Sequence, residues 1–182
     1  MTYADTTSSY HGLQLSVERR VSNSLSFEVN YTFSKSIDEV SADTTPQNAS
    51  QTIPMNRTAN RGVSDFDFAQ RLVISHVWAL PKLDHQGSLV RGVAGGWEFT
   101  GITTIRSGGP FSVLSGADRA YAGTGANRAD LVGNPFLPTD RSRSELIARY
   151  FNPSAFALNA IGTFGTAPRN LMRGPGAMSF DL

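Results

Sequence analysis

The sequence predicts an all-β fold of antiparallel strands, and three observations predict it. Apolar and polar residues alternate with a period of two in several segments, which puts one kind of residue on each face of a strand. Gly, Ser, Thr and Asn are plentiful between those segments, and good helix formers are sparse outside one short stretch. The connections alternate in length: short, long, shorter, long. The 182 residues suffice for one ordinary domain with a sizeable core. A net charge of +1 implies no strong pull towards nucleic acid. Cysteine is absent, which excludes disulfides and thiolate metal sites.

The first strand runs from Tyr10 to Val21. His11, Leu13, Leu15, Val17 and Val21 share a mainly apolar face, against Gln14, Ser16, Glu18 and Arg20. Ser22-Asn23-Ser24 reads as a tight turn, with Asn23 suited to a left-handed conformation. The second strand sets Leu25, Phe27, Val29, Tyr31 and Phe33 against Ser26, Glu28, Asn30, Thr32 and Ser34, so the two form an antiparallel hairpin. Residues 37–67 are polar and irregular, too long for an ordinary connection. A third strand covers Gln70 to Leu80, with Leu72, Ile74, His76, Trp78 and Leu80 on one face, and Pro81 ends it. The fourth places Trp97, Phe99, Thr103 and Ile105 on one face, with Glu98, Thr100, Thr104 and Arg106 on the other. Ser107-Gly108-Gly109-Pro110 breaks the run, and Phe111 to Pro175 reads mostly as loop, except for a helix over Ser142 to Tyr150 that Ser142 or Ser144 would cap. Alternation resumes with Met178, Phe180 and Leu182 against Ser179 and Asp181.

A soluble β-sandwich also alternates, with its apolar face on a second sheet. Here the loops are too long and the strands too few for a closed sandwich. Short turns alternating with long loops are the asymmetry of a transmembrane outer-membrane β-barrel. The expectation is a partial barrel of about four to five strands with long extracellular loops. Ser22 to Ser24 and the link from Pro81 to Gly96 would then face the periplasm, and residues 37–67 and 107–175 would face outside. Tyr10, Tyr31, Phe33, Trp78 and Trp97 fall where aromatic girdles belong. The chain has neither a signal-peptide pattern at Met1 nor an apolar run of roughly 18 residues, but a barrel crosses with shorter strands.

The segments Tyr10 to Arg20, Asn30 to Asp38 and Val77 to Pro81 resemble the barrel of Oar-like TonB-dependent outer-membrane receptors. The likeness continues in order through Gly95 to Phe99, Gly101 to Thr104, Ser107 to Phe111, Tyr150 to Phe156, Gly162 to Gly165 and Arg169 to Gly176. It implies uptake of a scarce solute, energised by the TonB system through a plug region, and leaves iron chelates, glycans, peptides and cobalamin open. The plug, the regulatory-like N-terminal domain and the closing strands of such receptors have no counterpart in these residues. The chain is therefore expected to be a fragment from the later part of the barrel, with Met1 an internal methionine or an arbitrary start. A surface barrel acting in adhesion or secretion and a soluble carbohydrate-binding β domain are the alternatives.

No enzymatic centre, cofactor or metal site is expected, and the partners are outer-membrane lipid, a small solute and the TonB system, with no nucleic acid. His11 and His76 lie on mainly apolar faces and read as lipid-interface residues; His85 reads as a solvated turn residue. Asp65 and Asp67 flank Phe66 and read as loop chemistry before a cation site, and Asp38-Glu39 with Asp43 as a solvated loop. Gly123-Thr124-Gly125 is half of a phosphate-loop pattern without its lysine. The expected lumen-facing residues are Glu18, Arg20, Glu28, Asn30, Arg71, Glu98 and Arg106, of both signs. Ligand contacts are expected from the long loops, at Arg119, Tyr121, Asn127 and Arg128.

Overall fold

The computed structural model describes residues 6–22, 24–41, 53, 56–80, 87, 92, 95–123 and 125–182. They fall into two compact units. A sheet unit comprises Tyr10–Lys35, Phe68–Gly108 and Pro175–Leu182, and a loop unit comprises Met1–Ser9, Ser36–Asp67 and Gly109–Gly174.

The sheet unit is a meander. Its strands are β1 (Ser8–Ser22), β2 (Leu25–Asp38), β4 (Gln70–Ala79), β5 (Glu98–Arg106) and β10 (Ala177–Asp181), and they lie side by side in that order. The register from β2 outward is antiparallel throughout. Opposed residues share a face of the pleat, so the register assigns the faces. Val29 sits opposite Ile74, Ile74 opposite Thr103 and Thr103 opposite Phe180. One residue along, Asn30 sits opposite Val73, Val73 opposite Thr104 and Thr104 opposite Ser179. The two faces are those that the alternation predicts. The third strand ends at Ala79, one residue short of the expected Leu80, although the Leu80 amide still donates to the Trp97 carbonyl at 2.7 Å. Asn23, Pro81, His85 and Thr124 lie outside the described residues, as does Asp43.

Apolar side chains on the sheet are bare. Leu13 is 55% exposed, Phe33 51%, Trp78 48% and Phe180 57%. A soluble protein would cover such a face, since each large side chain taken from water contributes about 1.5–3 kcal/mol. No helix among the described residues is long and apolar enough to cross a membrane, so any crossing falls to the strands.

The loop unit is mostly irregular, as the sequence predicts, with short elements within it. It contains a short helix α1 (Arg57–Asn60), the strand β3 (Gly62–Val63) paired with Ile37 and Asp38, and β6 (Pro110–Phe111) paired with β9 (Met172–Arg173). The strand β7 (Asp130–Leu131) pairs with β8 (Phe156–Ala157). The expected helix is present as α2 (Arg143–Ala148). Ser142 caps it: its hydroxyl accepts from the Glu145 amide, and the Glu145 carboxylate accepts from the Ser142 amide at 2.8 Å. Arg141 closes the other end by donating to the carbonyls of Glu145 and Arg149 at 3.3 and 2.7 Å. Phe151 packs edge-on against Phe111 and Phe156, at centroid distances of 6.2 and 5.9 Å.

Candidate functional site: a two-faced wall and its clamped loops

The wall of the sheet unit follows directly from alternation. Its apolar face carries aromatic residues at both ends. Trp78, opposite Leu25, packs against Phe99 at 6.3 Å between ring centroids, with exposed Trp97 next in sequence to β5. Tyr31 and Phe33 lie at the other end, opposite Leu72 and Gln70. The eight steps from Leu25 to Phe33 span about 27 Å along the strand. At a barrel tilt near 40° that is roughly 20 Å of height, close to the apolar band of an outer-membrane barrel. Tyr10 does not join this band. Its ring lies over Gly12, with the hydroxyl 2.8 Å from where a Cβ would stand, so both share the even-numbered face of Glu18 and Arg20. His76 stays on the apolar face, its ring lying over Gly101, where an added Cβ would come within 2.7 Å of the imidazole.

The opposite face is wet. Glu18, Arg20, Ser26 and Glu98 line one cavity of about 280 Å³ near the short turn, of mixed sign. Arg71, Thr104, Arg106 and Ser179 line another of about 420 Å³ at the far ends of their strands. Asn30 donates to the Glu28 carboxylate at 2.8 Å. The residues expected on the lumen side therefore share this face on β2, β4 and β5, and those of β1 line a cavity with them.

The loop unit is held by polar groups. Its buried apolar residues are Ala129, Ala155, Ala167 and Met172, whereas Ser36, Asp38, Glu39, Asn60, Ser64, Asp67, Asn127, Arg128, Asn159, Arg169 and Asn170 are all buried. Burial on this scale requires that the groups find partners. The segment Arg169-Asn170-Leu171-Met172-Arg173 supplies partners to the two buried aspartates. Arg169 pairs with the Asp38 carboxylate and donates to the Asp38 carbonyl at 2.9 Å. Asn170 donates to the Val63 carbonyl at 2.7 Å and to the Asp65 carboxylate. Arg173 pairs with Asp67, whose other oxygen accepts from the Ser36 amide at 2.6 Å. Asn170 has φ 55°, the left-handed conformation that asparagine tolerates. Three donors within five residues thus grip three carboxylates, at Asp38, Asp65 and Asp67.

This corrects the reading of Asp38 and Glu39 as solvated. Both are buried because partners far along the chain neutralise them. Arg57 meets Glu39 through two nitrogens at 3.0 and 3.2 Å, and Thr7 donates to it at 2.8 Å. Those bonds hold the Glu39 carboxyl below its ordinary range. Asp65 and Asp67 serve as loop braces, and among the described residues no three His, Asp or Glu gather as a metal site.

Of the four loop residues expected to touch a ligand, Tyr121 is the one presented, 76% exposed and with φ 55°. Burial opposes ionisation of the nearby Asp118, but amides of Ala122 and Gly123 donating at 3.1 and 2.7 Å outweigh it and lower its pKa. Arg119 donates to the Asn159 carbonyl. Asn127 is buried and accepts from the Ala120 amide at 2.7 Å. Arg128 is buried and donates to the Ala167 carbonyl at 3.1 Å; burial, helped by the charge of Arg169, lowers its pKa. Asn127 and Arg128 therefore shape the loop that carries Tyr121. The Arg169–Arg173 clamp lies inside a motif of the resemblance, and nothing local in that motif signals its distant acids. An apolar hollow of about 270 Å³ lies between Pro135, Phe136, Leu146, Tyr150 and Met172.

Antiparallel strands of transmembrane length, bare and apolar on one side and wet on the other, define the wall of a membrane β-barrel. The chain belongs to the outer membrane beta barrel domain family, whose model matches residues 1–182. It is accordingly a component of the bacterial outer membrane, and the soluble β-domain alternative is set aside. No curated protein and no solved structure matches the chain.

Proposed function

We propose that this barrel wall belongs to a TonB-dependent transporter that takes up a scarce solute across the outer membrane. The observation that carries the reading is the sheet's two-sidedness: a lipid-compatible face backed by a wet face bearing Arg71, Arg106, Glu28 and Glu98. The ordered resemblance to Oar-like receptors supplies the finer assignment. In this reading the wall encloses the path, the outer loops capture the solute with Tyr121 at a tip, and the TonB system acts through a plug. No bond is made or broken by the protein, and no cofactor is used.

The test is uptake by cells expressing the intact protein, with labelled ferric chelate, maltodextrin, oligopeptide and cobalamin as probes. Transport predicts accumulation of one of them that collapses when TonB is deleted or the proton gradient is dissipated. Accumulation of none, or uptake indifferent to both treatments, would contradict it.

A further inference from the structure

We infer that Arg71 and Arg106 form an anion-binding subsite on the wet face, suited to a carboxylate or phosphate group of a small solute. The two arginines are direct partners across β4 and β5. Like charges opposed in this way destabilise a sheet unless something lies between them. From β2 to β10 their row reads Thr32, Arg71, Arg106, Ala177, with no acid in the row on these four strands, and Glu18 of β1 lines the cavity at the other end of the face. The next row reads Asn30, Val73, Thr104, Ser179, and is neutral. Carboxylates first appear in the row after that, with Glu28 and Asp181 at its flanks. Four residues of strand separate it from the arginines, about 13 Å, well beyond an ion pair and beyond a Debye length at physiological salt.

The site also has room and positioning. The arginines line the cavity of about 420 Å³ together with Thr104 and Ser179, whose hydroxyls can donate to an anion. Phe68 holds the Arg106 guanidinium 4.5 Å from its ring centroid, which restricts the fork before any ligand arrives. Two planar forks facing one space are suited to bidentate capture of a tetrahedral or planar oxyanion. The mixed-sign cavity at the other end of the face, with Glu18 and Glu98 beside Arg20, lacks this excess of positive charge. The inference rests on the wet-face assignment and is independent of which energy source drives transport.

The experiment is calorimetric titration of inorganic phosphate into the intact protein in detergent, in phosphate-free buffer, with R71Q, R106Q and the control R20Q. The expected result is one phosphate per chain, weakened about ten-fold or more by R71Q and by R106Q and unchanged by R20Q. Thermal unfolding gives a second reading. Without phosphate, R71Q should melt at or above the wild-type temperature, because a repulsion is relieved, and phosphate should raise the wild-type midpoint only. Absence of binding to folded wild type, or equal binding by R71Q, would overturn the subsite. A lower midpoint for R71Q without phosphate would also overturn it, by showing that a carboxylate of the protein already occupies Arg71.

Discussion

The sheet unit and the loop unit place their residues in opposite ways. On the sheet, Leu13, Phe33, Trp78 and Phe180 are exposed. In the loop unit Asp38, Asp67 and Arg169 are buried. The difference is one of solvent. A strand facing hydrocarbon must satisfy its backbone in the ladder and turn apolar groups outward. A long loop beside water has little apolar surface to hide, so it is ordered by ion pairs and hydrogen bonds, each needing a specific partner. The sheet therefore tolerates many apolar exchanges, and the loop unit few polar ones.

The comparison can be broken most sharply at the loop clamp. Arg169→Met leaves Asp38 buried without its guanidinium, and breaking such a pair costs about 3–5 kcal/mol. Faster amide exchange at Gly62 and Ser64 should report it, with the exchange of Val29 and Ile74 unchanged. Protection retained at Gly62 would mean that the pair is dispensable.

On the wall the expected effect is somewhat smaller and depends on the face. Val29→Arg, in the middle of the apolar face, should lower stability in liposomes by about 2–4 kcal/mol. Asn30→Arg, its neighbour on the wet face, should stay within about 0.5 kcal/mol. Urea unfolding of the two proteins checks this, and equal losses would refute the assignment of faces.

Close packing gives a third handle. A Cβ on Gly165 would fall 1.9 Å from the Arg128 carbonyl oxygen and 2.5 Å from that of Ala129, both backbone atoms that cannot swing away. Gly165→Ala should cost about 1–3 kcal/mol or more, seen as loss of amide protection around Ala129. Gly96→Ala meets open space but has φ 75°, so its smaller cost would come from backbone strain alone.

The smallest effect is on pH. The Glu39 carboxyl titrates below its unfolded value, so its bonds to Arg57 and Thr7 stabilise the loop unit above the ordinary carboxylate range. That contribution falls away as pH drops through the lowered value. Arg57 is half-exposed, so added salt should weaken it further. Amide exchange near Glu39, corrected for intrinsic rates, should show the loss, and E39Q should abolish the pH dependence.

The strands were legible because period two is local: Leu25 to Ser34 declares both faces within ten residues. The α2 cap was legible to within two residues for the same reason, as Ser142 or Ser144, and the bond between Ser142 and Glu145 decides it. The clamp was not. Arg169 and Asp38 are 131 positions apart, and neither lies in a periodic segment. An acid in a polar stretch reads as solvated until its partner is located. Asn127 and Arg128 likewise read as exposed binding groups because nothing near them signals burial. Tyr10 suits a girdle by its position at a strand end, but its even parity puts it on the wet face.

The central claim is that alternation divides this wall into a lipid face and a water face. The chain has no cysteine, so single thiols can be introduced cleanly into the intact protein. They would be placed at Phe27, Val29 and Ile105, and at Glu28, Asn30 and Thr104, then probed with water-soluble thiol reagents in detergent and in liposomes. The account predicts that the first set is shielded in liposomes while the second reacts. Protection of both sets, or a pattern that does not depend on lipid, would contradict it.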